Sequence, residues 1–237
     1  MKFLELICVE NDTTDEQNAI MRREIFPWVK DTVERKINIT GKPLGSPDTA
    51  KTVRVRSGET VVSDGPFADT KEFIGGFDLL ECRDMDEAIE VAAKHPVAWF
   101  QAIELRPIID DRDVPPFIDS ARLGQMLLVC VDGKAESPEI EDQIDRDVEA
   151  WVRETTAHGV RLAGAPLAGV EQAKTVRVRD GRTIVTNGPL LETEEFIGGF
   201  DLLACASLDE AVGWAAKHPI ARLHRIEVRE FVPLTGD

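Results

Sequence analysis

Asp64, Lys71, Glu72 and His95 carry the side chains of this 237-residue sequence that best suit acid–base or anion-binding chemistry. Asp64 ends a strand-like run and leads into Gly65-Pro66-Phe67, so its carboxylate stands at a tight turn. Lys71 and Glu72 follow closely, which suits a carboxylate base with a lysine to hold an anion. His95 precedes Pro96 at the end of a helical pattern and serves as a general base if the DGPF turn folds over that helix end. Asp64 and His95 are therefore the catalytic candidates. Asp64, Phe67, Lys71 and Glu72, with Arg54 and Arg56 from the strand before the turn, are the ligand-binding candidates.

Each of these residues also has a purely architectural use. Asp64 can bond the backbone of its own turn, and Phe67 can plug a gap in a core. His95 can sit favourably at a helix C-terminus. Thr52, Arg54 and Arg56 alternate with Val53 and Val55, and Glu104 and Arg106 with Ile103 and Leu105, so cross-strand ion pairs on one sheet face explain them equally well.

The elements that must position these groups occur twice. From Lys51 to Arg106, roughly 34 of 56 residues match those beginning at Lys174, at a constant offset of 123 without a gap. A period this long describes a duplicated domain rather than a solenoid. The predicted domains are 1–108 and 125–237, joined by a Pro- and charge-rich linker over 109–124. Residues kept in both copies report mostly on fold, and an asymmetric function must use residues that differ. Asp64 becomes Asn187, Phe67 becomes Leu190 and Lys71 becomes Glu194, whereas Gly65, Pro66, Thr70 and Glu72 persist. Chemistry at this turn is thus expected in the first half alone.

Each half reads β-α-β-β-(β)-α-β, a ferredoxin-like order with an elaborated hairpin. Thr13 and Glu16 suggest a capping box opening the first helix, and Pro27 is expected to kink or split it. Ser57-Gly58 and Asp180-Gly181 mark hairpin turns. Gly75 to Cys82 and Gly198 to Cys205 read as strands buried on both faces. Trp28 and Trp151 fall in register and anchor each first helix.

The run DGPFADTKEFIGGFDLLE, from Asp64 to Glu81, resembles the signature of the YCII-related family in its DGPF-domain branch, and NGPLLETEEFIGGFDLL, from Asn187, resembles a diverged copy. The TVR strand before it, the DEAIE…AAKHP helix after it and the closing E-x-R strand are similar too. The resemblance implies an α+β fold in which two ferredoxin-like domains pair sheet to sheet, here as a pseudo-dimeric α+β barrel within one chain. Some members resemble enzymes of small-molecule breakdown. DGPF members often accompany extracytoplasmic-function sigma factors, which implies a regulatory link. Simpler members are thought to use a histidine on the first helix with an aspartate near the end of the second. The first helix here lacks that histidine, and His95 and His218 stand where the aspartate belongs, so this chemistry is not carried over.

Two function classes follow: a binding or regulatory module holding a small, anionic molecule between the sheets, or an enzyme using Asp64, Lys71 and His95. A formal charge of −16 argues against a nucleic-acid partner. No run approaches the ~20 apolar residues of a spanning helix, and the N-terminus does not read as a signal peptide, so a cytoplasmic location without a membrane partner is expected. Cys8, Cys82, Cys130 and Cys205 lack ligand spacing, Cys82 and Cys205 read as buried thiols, and no metal or cofactor is expected. One half should pack on the other, with further homo-oligomerisation open.

Overall fold

The computed structural model describes residues 1–234 except 11, 68–70, 135 and 191–194. Thr70 and Glu194 therefore lie outside the described residues. The first half runs β1 (Lys2–Val9), α1 (Asp15–Glu34), β2 (Asn38–Pro43), β3 (Lys51–Arg56), β4 (Glu59–Asp64), β5 (Phe73–Glu81), α2 (Met85–Lys94) and β6 (Ala102–Pro107). The second runs β7 (Gln125–Val131), α3 (Pro138–Ala157), β8 (Arg161–Pro166), β9 (Lys174–Arg179), β10 (Arg182–Asn187), β11 (Phe196–Leu203), α4 (Leu208–Lys217) and β12 (Arg225–Glu230).

Strand alternation builds the layers. Along β1, Phe3 and Ile7 face α1 and α2, whereas Leu4, Leu6 and Cys8 join a core shared with Met126, Leu128 and Cys130 of β7. The two sheets thus meet face to face, with helices on their outer sides. Val114, Ile118 and Leu123 of the linker are buried in the same shared core. Each half is a ferredoxin-like unit, its own strands ordered β6-β1-β5-β2 or β12-β7-β11-β8.

The hairpins cross over. β3 pairs with β12 of the second half and β9 with β6 of the first, so each sheet has six strands, β10-β9-β6-β1-β5-β2 and β4-β3-β12-β7-β11-β8. The strand that carries Arg54 and Arg56 therefore lies beside β12, with Thr52 opposite Glu227, and not beside Glu104 and Arg106 of its own half. Ser57 and Asp180, each with φ 52°, precede glycines at positive φ, the backbone of a two-residue hairpin turn.

Two helix details differ from the sequence expectation. The capping box forms one residue later, with Thr14 Oγ1 accepting from Gln17 N and Gln17 Oε1 accepting from Thr14 N. Pro27 does not split α1, which continues over 20 residues. Pro27 lies on the exposed face, where water can satisfy the carbonyl its ring leaves unbonded.

Candidate functional site

A cavity of about 660 Å³ lies in the first half, between α1 and the outer face of its sheet. Its walls are apolar: Ile7 and Val9 from β1, Met21, Ile25 and Val29 from α1, and Phe73 from β5. At its floor stand Asp78 of β5 and His95, the residue that ends α2. Both are almost fully buried, at 7% and 3% exposure. Arg22, Ser46 and Asp48 line it from exposed positions and form the rim.

Backbone geometry fixes His95. Its Nδ1 accepts from Val97 N at 3.2 Å, capping the short turn begun by Pro96, so the neutral ring carries its proton on Nε2. Nε2 lies 3.8 Å from Asp78 Oδ2. Trp28 meets the imidazole edge-on, with ring centroids 4.6 Å apart. Burial lowers the His95 pKa to about 3, leaving the ring neutral, and burial raises that of Asp78 to about 7, against the opposing hydrogen bond from Asn38 Nδ2 at 2.8 Å. The titrating group near neutrality is the carboxyl, and the histidine is a fixed N–H donor. Gly41 makes room for that carboxyl, since a Cβ there collides with Asp78 Oδ1.

Glu5 stands opposite Asp78 on β1 and is wholly buried, with neither carboxyl oxygen bonded among the described residues. Burial first, and the nearby Asp78 charge second, push its pKa well up. At the matching position opposite Asp201 the second half has Leu127. Glu5→Leu should therefore stabilise the protein by about 1–3 kcal/mol at neutral pH, because it removes a desolvated, unbonded carboxyl. Urea unfolding reads this, and a loss of stability would mean that the carboxyl has partners after all.

The second half repeats the pair but quenches it. His218 Nε2 lies 3.7 Å from Asp201 Oδ2, and His218 Nδ1 caps Ile220 N. Arg161 replaces Asn38 and donates from Nε to Asp201 Oδ1 at 2.6 Å. Burial still raises the Asp201 pKa, but only to about 6, because Arg161 opposes it.

The DGPF turn lies elsewhere. Asp64 has 83% of its side chain exposed and is bound by Lys51, which holds its pKa below the ordinary value. Lys71 is an exposed partner of Glu10. Arg54 pairs with Glu195 at 3.4 Å, and Arg56 donates to the carbonyls of Arg222 and Leu223 at 2.9 and 3.1 Å. Glu72 is half-buried next to Phe73. Phe67 packs against the shared core, its N–H donating to Glu227 Oε2 at 2.9 Å. Beside it the space between the sheets shrinks to about 20 Å³, near the room for one water. Of the candidates read from sequence, only His95 lines the large cavity; Asp64 and Lys71 do not join it.

Sequence reasoning missed Asp78, Glu5 and Asn38. The signal for Asp78 was present, an aspartate at the same place in two apolar runs, FIGGFDLL. All four cysteines are free and buried, and burial raises those of Cys82 and Cys205 to about 12. No group of His, Cys, Asp or Glu suited to a metal occurs among the described residues. No helix there is long and apolar enough to cross a membrane.

Two ferredoxin-like units with facing sheets, and a polar pair beneath the first helix of each, define a duplicated α+β-barrel protein. The YCII-related domain model matches residues 1–112 and again 125–235, and the chain belongs to that family. An uncharacterised protein of Rhizobium meliloti (strain 1021) is 48% identical over 81 residues, covering 34% of this chain and 65% of that relative. The match thus spans just under two thirds of the relative's length.

Proposed function

We propose that the chain is a small-molecule binding or regulatory module whose site is the first-half cavity rather than the DGPF turn. The observation that carries this reading is a 660 Å³, mostly apolar cavity with a buried Asp–His pair at its floor. Ligand sites have this size and this mixture of apolar walls with a few placed polar groups. Acidic and neutral partners meet two hydrogen-bond donors at the floor below pH 7, the Asp78 carboxyl and His95 Nε2–H.

The neutral dye N-phenyl-1-naphthylamine is a suitable probe. Its fluorescence should rise saturably with wild-type protein and vanish with Ile25→Trp, which fills the cavity from α1. Val148→Trp, the matching change on α3, should leave it within about twofold. Equal loss in both variants, or none in either, would remove the cavity as the site.

A second reading is favoured by the burial of Asp78 3.8 Å from His95 Nε2, a burial that raises its pKa to about 7. An acid poised at neutrality beside a fixed N–H donor can pass a proton to and from a bound carbon or oxygen acid. In that case the chain is an enzyme of proton transfer, with Asp78 as acid and base and His95 as the orienting donor.

A further inference from the structure

The chain leaving each closing strand crosses to the other half. After β12, Phe231 bridges Leu44, and Val232 N donates to Pro43 O at 3.0 Å. After β6, Ile108 bridges Leu167, and Ile109 N donates to Pro166 O at 3.1 Å. The second half thus lays a short extended segment at the end of β2, and the first half does the same at the end of β8.

The segment beside β2 brings a residue of the second half to the first-half cavity. Leu44 and Phe231 both pack on the shared core. Counted from their bridge in antiparallel register, Leu234 comes level with Gly41, and alternation turns both to the opposite, outer face. Gly41 is the position where a Cβ would collide with Asp78 Oδ1. Gly41 and Leu234 both line the cavity, and every other lining residue belongs to the first half. Leu234 is 44% exposed, so a large part of this apolar side chain is free to meet a ligand.

The other copy carries charge at the same place. Along the matching register from the Ile108–Leu167 bridge, Asp111 comes level with Gly164. Asp111 is paired with Lys2 at 3.3 Å, and Asp113 with Arg161 Nη1 at 3.2 Å. One crossing therefore offers a leucine to its neighbour's cavity, and the other offers carboxylates already engaged in ion pairs.

Resting on the cavity reading above, we infer that Leu234 is a ligand-binding residue of the first-half cavity, supplied by the second half. The ligand is a neutral molecule whose apolar body reaches from Ile25 and Phe73 to Leu234. The site is accordingly incomplete in the first half alone, which gives the duplicated chain a use for a second copy whose own Asp–His pair is quenched.

The test titrates N-phenyl-1-naphthylamine, a neutral dye, on the intact chain. Leu234→Asp, which installs the second half's residue, and Leu234→Lys should each weaken the dye about tenfold, because either charge removes the apolar contact. Leu234→Met should stay within about twofold of wild type. Ile109→Asp, a charge placed on an equally exposed apolar residue of the other crossing, should do the same. Urea midpoints of the Leu234 variants should match wild type, since the side chain is not part of the core. If the dye binds and Ile25→Trp abolishes it, but both charged Leu234 variants bind within twofold or Ile109→Asp weakens binding as much, the Leu234 inference falls and the cavity reading stands. If the dye does not bind wild type, both fall.

Discussion

Replacing Glu227 by alanine should cost the fold about 3–5 kcal/mol, because it strands a buried arginine. Glu227 and Arg229 are 2% and 1% exposed, on the face of β12 that meets the shared core. Glu227 Oε1 accepts from Arg229 Nη1 at 3.1 Å and Oε2 from Phe67 N at 2.9 Å, while Arg229 Nη2 donates to the carbonyl of Gly45. The Glu227–Arg229 pair therefore ties together the closing strand of one half, the DGPF turn of the other and the segment after β2. Glu104 does the same in reverse, bonding Arg106 Nη1 at 3.3 Å and Leu190 N at 3.0 Å. Asp64→Asn should leave the urea midpoint almost unchanged, since it alters one exposed ion pair. Urea midpoints order the two, and a larger loss for Asp64→Asn would overturn this account of the motif. Glu227→Met combined with Arg229→Met should recover part of the stability, because it leaves no unpaired charge.

The same contacts show what the sequence could and could not convey. The duplication, the element order and the burial of the repeated strands follow from residue spacing alone. Hairpin exchange does not. The edges available to KTVRVR are Ile103-Glu104-Leu105-Arg106 and Ile226-Glu227-Val228-Arg229, which are chemically alike, so periodicity cannot say which one is chosen. What decides is the path of residues 44–50, where Gly45 N bonds Glu230 O across the halves. The candidate site was legible only at His95. Asp78 sits in a run that reads as pure core, and its significance needs a cavity, Gly41 and Asn38, each brought from another strand. The DGPF turn drew attention to Asp64/Asn187 and Lys71/Glu194, whereas the differences at the buried Asp–His pairs are Asn38/Arg161 and Glu5/Leu127.

Asp78→Asn should raise stability at pH 8 by about 2–4 kcal/mol and steepen its loss in acid. An acid whose pKa rises from 3.8 unfolded to about 7 folded binds more protons in the native state between those values. Its contribution is therefore favourable only at low pH and is lost as pH climbs towards 7; above that the native state holds a desolvated carboxylate. The rise to about 7 sets an upper limit of roughly 4 kcal/mol, and asparagine removes the charge while keeping an oxygen for Asn38. His95 works in the opposite sense. Its pKa falls from 6.5 to about 3 on folding, so stability drops as pH falls through that window. Between about pH 4 and 6.5 the Asp78 slope opposes that of His95; Asp78→Asn removes it and leaves those of His95 and Glu5, so relative to wild type the variant loses about 1.4 kcal/mol more per pH unit of acidification across that range. Urea unfolding at pH 4, 5.5, 7 and 8 resolves both effects. A variant no more stable at pH 8, with an unchanged slope, would mean that Asp78 ionises as an ordinary carboxylate, and the proton-transfer reading of the cavity would lose its acid.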